Sequence, residues 1–141
     1  MTTAPESTVD RDQPVLDVAA AWLTAYRQAA YTEPANAWIA RITPLVTADL
    51  AQQYAQLRAT GREAGVAWQD FVERRCIAVV HDAAAVIPPE APRTTAVVHV
   101  QASAVLVTAC TAGGDPPAEE LAVTLTAVHT DAGWRIASRE P

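Results

Sequence analysis

Apolar residues recur three and four apart in the first half of the chain and alternate in the second. From Val15 they fall at Val18, Trp22, Tyr26 and Ala29, with Leu16 and Leu23 beside them, the spacing of one buried helical face. Pro14 suits the first turn of that helix, where its missing N–H would be unpaired anyway, with Asp12 or Gln13 as the approximate cap. Thr32-Glu33-Pro34 breaks the run, and a second helical stretch presents Trp38, Ile42 and Leu45. Thr47 then caps a third, carrying Leu50, Tyr54 and Leu57, which Gly61 ends. Between Gly61 and Glu73 the pattern is mixed, with Val66, Trp68, Phe71 and Val72 apolar, and it reads as a connection packed onto the core.

The period then changes. Arg75 to Ile87 is rich in Val, Ile and Ala and reads as a long strand, with Pro88 to Arg93 as its turn. Thr94 to Thr111 is a second long strand. On it Val98, Val100, Ala102, Ala104 and Leu106 share one face, while His99, Gln101 and Ser103 share the other, more polar one. Gly113-Gly114-Asp115-Pro116-Pro117 is a turn. Leu121, Val123, Leu125 and Ala127, alternating with Thr124 and Thr126, make a third strand, and after Asp131-Ala132-Gly133 a short last one begins at Trp134-Arg135-Ile136. Three helices followed by about four strands is an α+β order, with the helices on one face of a curved antiparallel sheet.

The 141 residues suit one domain with one core. Residues 1–13 are polar and read as a disordered leader, or as the linker left when an anchor is removed, and residues 14–141 as the domain. Aromatic residues are only 6% of the chain, so the four tryptophans Trp22, Trp38, Trp68 and Trp134 are the candidate core anchors, and Trp22, Trp38 and Trp134 are expected in the core. The net charge is −6 and all ten basic residues are arginine. Phosphate recognition needs clustered positive charge, so direct nucleic-acid binding is not expected. No apolar run approaches a membrane span, and the first residues lack a signal-peptide pattern.

Nucleotide-binding loops, a zincin helix, a paired Cys-x-x-Cys and a nucleophile elbow are absent from the sequence. His81, His99 and His129 lack the local spacing of metal ligands, and neither a metal site nor a cofactor is expected. His99 with Asp70 or Asp82 could form an acid–base pair, against which stands a solvated sheet face. Arg74 and Arg75 read as a solvated pair pointing to opposite faces. Cys76 lies near the start of one long strand and Cys110 near the end of the next. In an antiparallel hairpin those ends are neighbours if a bulge or wide loop shifts the register. A disulfide, which would place the domain outside the reducing cytosol, and two buried free thiols both remain open.

The order from Ala19-Ala20-Ala21-Trp22-Leu23, through Pro44-Leu45-Val46-Thr47-Ala48-Asp49-Leu50, to Gly133-Trp134-Arg135-Ile136 resembles the nuclear-transport-factor-2-like superfamily. Phe71-Val72-Glu73-Arg74-Arg75-Cys76, the run Val86 to Thr94 and Cys110 look like the extracytoplasmic domains of conjugation proteins of high-GC Gram-positive bacteria. Those domains are similar to the inner-membrane scaffold subunit of type IV secretion systems. The resemblance implies a cystatin-like cone and a non-enzymatic assembly domain. Its expected partners are other secretion subunits and further copies of itself, and membrane attachment is expected only through an anchor absent from these residues. The superfamily also holds ketosteroid-isomerase-like and polyketide-cyclase-like enzymes. This second reading, an isomerase, cyclase or ligand-binding protein, would use His99, Gln101 and Ser103 in the cone.

Overall fold

The computed structural model describes residues 8–60 and 65–140. Its elements run α1 (Thr8–Arg27), β1 (Ala29–Ala30), α2 (Ala37–Ile42), a single 3-10 turn (Thr43–Leu45), α3 (Ala48–Thr60), α4 (Val66–Glu73), β2 (Cys76–Val86), β3 (Val97–Cys110), β4 (Glu119–Thr130) and β5 (Gly133–Arg139). The strands form one antiparallel sheet in the order β1-β2-β3-β4-β5, curled into a half-barrel. The α+β class expected from the sequence is therefore present, but among the described residues there are four helices rather than three and five strands rather than about four.

The two extra elements have physical reasons for escaping the hydrophobic pattern. β1 is two residues long, too short to show a period, and exists because Ala29 and Ala30 pair with Ala78 and Ile77. α4 replaces the predicted connection between Gly61 and Glu73. Trp68 and Phe71, three positions apart, stack at 5.1 Å on one side of it, while Val66 and Val72 are exposed and blur the apolar face. Gly61, expected to end the third helix, lies outside the described residues.

α1 also begins ahead of Pro14, so residues 8–13, read as leader, belong to it. Asp12 explains the extension. It is buried, and its carboxylate accepts two hydrogen bonds from Arg93 in the β2–β3 loop, at 2.9 and 3.1 Å. The Arg93 hydrogen bonds hold the Asp12 carboxyl below its usual value, outweighing the opposing effect of burial. This pair joins residues 81 positions apart, a contact that local sequence cannot announce.

α1 lies across the inner face of the sheet. Val15, Ala19 and Trp22 meet Val98, Val100, Leu125 and Ile136 in one core, all of them buried. Trp22 begins a chain of rings: it stacks on Tyr26 at 4.8 Å, Tyr26 meets Trp38 edge-on at 5.3 Å, and Trp38 meets Tyr54 at 5.1 Å. Trp134 is half-buried and packs on the core with an edge against His129.

The two outer edges of the sheet differ. On β5, the Ile136 carbonyl accepts the Thr47 N–H at 2.9 Å, beside an isolated parallel bridge to Val46. On β2, β1 covers only Ile77 and Ala78. Just past them the Gln28 side-chain oxygen accepts the Val80 N–H at 3.2 Å. Beyond that a bulge lies between His81 and Ala84, with Asp82 in the left-handed region at φ 57°.

Candidate functional site

Strand alternation sorts the sheet into two faces. Val98, Val100, Ala102, Ala104 and Leu106 point toward the helices and are buried. His99, Gln101 and Ser103 consequently point to the opposite, outer face, not into the space between helices and sheet. Gln101 and Ser103 line an open groove there of about 440 Å³, with Thr124 and Glu140 on its far side.

His99 stands beside that groove with its Nδ1 2.6 Å from Glu140 Oε1. Thr126 joins them, its hydroxyl donating to the same carboxylate oxygen at 3.2 Å and lying 3.3 Å from Nδ1. The acidic partner is thus Glu140, and neither Asp70 nor Asp82 takes that place. Asp70 pairs with Arg74 along α4 at 3.4 Å, and Asp82 occupies the bulge in β2. Strand order assembles the cluster, because His99 faces Thr126 and Thr126 faces Ser138 in successive ladders. Glu140 then returns to the sheet through its N–H to the Thr124 carbonyl, 2.9 Å. The sequence reading missed it because it followed the last strand only through Ile136. A carboxylate that orients an imidazole is general-base geometry, yet this pair sits on an open surface where nothing excludes bulk water.

Farther along the same outer face the side chains become apolar. Ile77, Val79 and Val107 are exposed by 37 to 45%. The ladder puts Val79 opposite Val107, Ile77 opposite Ala109 and His81 opposite Val105, so these residues form one contiguous patch. Glu120 of β4 faces Val105 from the other side. One row across three strands therefore reads His81, Val105, Glu120, an apolar centre between an imidazole and a carboxylate.

At the same end of the sheet, but on its helix side, Cys76 and Cys110 face each other across the ladder and are joined by a disulfide, S–S 2.05 Å. The bulge between His81 and Ala84 supplies the register shift that this pairing needs. Beside it, Arg74 is not solvated as the sequence suggested. Its guanidinium donates to the carbonyls of Gly113 and Gly114, tying α4 to the β3–β4 turn. Gly113 is required there twice over, since its φ is 83° and an added Cβ would sit 2.9 Å from Arg74 Nε. Arg75 stays exposed.

His81, His99 and His129 are not brought together: His81 borders the apolar patch, His99 pairs with Glu140, and His129 packs on Trp134. Among the described residues no group of three His, Cys, Asp or Glu side chains could hold a metal ion. Nor is any helix among them long and apolar enough to cross a membrane. No protein-family model matches the chain, and no curated protein matches it.

Proposed function

We propose that this chain is a non-enzymatic assembly domain with a cystatin-like cone, similar to nuclear-transport-factor-2-like domains, that works outside the cytoplasm in a conjugative, type IV secretion-like apparatus. The observation that carries the reading is the exposed apolar patch of Ile77, Val79 and Val107 on the side of the sheet away from the helices. Single exposed hydrophobes are ordinary, but a contiguous set on one sheet face points to a contact surface. The inner face supports the same reading, because β3 fills it with Val, Ala and Leu side chains that have no acid–base chemistry. The disulfide is in keeping with an oxidising compartment.

The occupant of the patch is a second copy of the chain, for a reason of side-chain complementarity. A two-fold axis running along β3, between two sheets stacked face to face, keeps position along the strand and exchanges left for right. It therefore sets Val105 and Val107 of one copy on their counterparts, and His81 of each copy opposite Glu120 of the other. The row across β2, β3 and β4 is self-complementary in this way.

Sedimentation equilibrium tests the contact. The wild-type chain is expected to dimerise at micromolar concentration, and Val107→Asp, which buries a carboxylate at the centre, is expected to be monomeric with its fold intact. His81→Glu should weaken the dimer, and His81→Glu with Glu120→His should restore it. A wild-type monomer, or a dimer indifferent to Val107→Asp, rejects the surface. In the native host, Val107→Asp at normal protein level should lower conjugative transfer about tenfold or more, the equivalent of ~1.4 kcal/mol of lost association. Unchanged transfer rejects the conjugation role.

A further inference from the structure

Where α1 ends, two arginines and two aromatic rings surround a cleft on the helix side of the sheet. Tyr26 and Arg27 from α1, Trp38 from α2 and Arg139 from the end of β5 line a depression of about 320 Å³. Tyr26, Arg27 and Arg139 also line an adjoining depression of about 220 Å³ that reaches inward to Leu121 and Val123. The first volume falls at the lower end of the range that holds a small organic molecule, and the second lies below it.

The two guanidiniums are not equivalent. Arg27 is neutralised by Glu119, with Nη2 3.1 and 3.2 Å from the two carboxylate oxygens. Arg139 has no carboxylate within ion-pair distance among the described residues. Its Nη1 donates to the Tyr26 hydroxyl at 3.3 Å, and its guanidinium carbon lies 5.6 Å from the Tyr26 ring centre. Glu119 and Glu120 both border the adjoining depression, and neither lies within ion-pair distance of Arg139. In a chain of net charge −6, an arginine without a carboxylate partner among the described residues, held over a ring at the mouth of a largely polar cleft, is the reverse of the overall electrostatic balance.

We infer that this cleft binds a small aromatic carboxylate. The ring of the ligand lies against Trp38 beside the edge of Tyr26, since the faces of Tyr26 are taken by Trp22 and Arg139, and both orientations are fixed by the ring chain running from Trp22 to Tyr54. Its carboxylate takes the two parallel N–H donors that a guanidinium offers, and Arg139 supplies them while its stem stays on Tyr26. Arg27 keeps Glu119 and forms the wall. The depression between Tyr26, Trp38 and Arg139 shares no residue with the proposed dimer contact, so each copy would carry its own site.

The test uses 1-naphthoate as probe and the uncharged 1-naphthylmethanol as its comparator, in calorimetric titrations of the whole chain. Naphthoate should bind saturably at one site, about tenfold or more tighter than the alcohol, because only the acid engages the guanidinium. Arg139→Met keeps an apolar stem and removes the charge. It should abolish that preference while leaving the affinity for the alcohol unchanged. The indole N–H resonance of Trp38 should shift on titration with either compound, and that of Trp68 should not. Absence of saturable binding, equal affinity for acid and alcohol, or a preference that survives Arg139→Met each overturns the inference. Should Arg139→Met not fold, salt gives the answer. Raising ionic strength from about 20 to about 300 mM must weaken naphthoate and spare the alcohol, and a salt-independent naphthoate affinity overturns the site.

Discussion

Replacing both Cys76 and Cys110 with alanine should lower the stability of the chain by an amount that the loop length fixes. The two residues are 34 positions apart, so the bridge closes a loop of that size in the unfolded chain. In the chain-entropy model a loop of this length removes roughly 12 to 13 cal/mol/K from the unfolded ensemble, or about 3.8 kcal/mol at 25 °C. For a chain between the small and large domain classes, each kcal/mol moves the melting temperature by about 4 °C, giving a fall of roughly 15 °C. Alanine is preferred to serine because Cys76 is buried and a hydroxyl there would add an unrelated desolvation cost. The assay is thermal unfolding by circular dichroism, with wild type measured with and without reductant. Since the β2–β3 ladder remains, the native spectrum of the double variant should match wild type. A fall of less than about 3 °C would refute the loop-closure argument, as would two alkylatable thiols in oxidised, denatured wild type.

Two further outcomes follow from the core and from the first helix. Trp22→Ala removes the largest fully buried side chain and should cost about 3 to 5 kcal/mol in urea unfolding; an unchanged midpoint would show the ring to be dispensable to the core. The Asp12 carboxyl is held below its ordinary value of 3.8, chiefly by hydrogen bonds from Arg93, so its contribution is present above that pH and is lost as pH falls through the lowered value. Arg93 is 37% exposed, so solvent screening limits the contribution to about 1 kcal/mol. Asp12→Asn should therefore lower stability at pH 7 and flatten its decline below pH 4, and an acid limb identical to wild type would contradict the pairing.

Local chemistry was legible wherever one face of an element met the core. The alternation from Thr94 to Thr111 matches β3 to within a few residues at each end, because Val98 to Leu106 are buried on one side and their neighbours are not. The same rule located the outer-face position of His99 but not its partner. Glu140 reaches His99 only through the stacking of two ladders, which no local pattern encodes. The start of α1 was hidden in the same way, by a contact with Arg93 from a distant loop. The cleft between Tyr26 and Arg139 was invisible for a third reason: its residues come from α1, α2 and β5, and each alone reads as ordinary core or surface.

The kink at Asp82 bears on how many copies can associate. A long flat strand with nothing beside it is a template on which further chains can be added without limit, the route to fibres. Here Gln28 fills the first free position on β2, and the left-handed residue bends the remainder away from any straight neighbour. On the other flank Val46 and Thr47 hold β5. With growth discouraged at both rims, the proposed face-to-face contact would yield a closed pair rather than an endless ribbon.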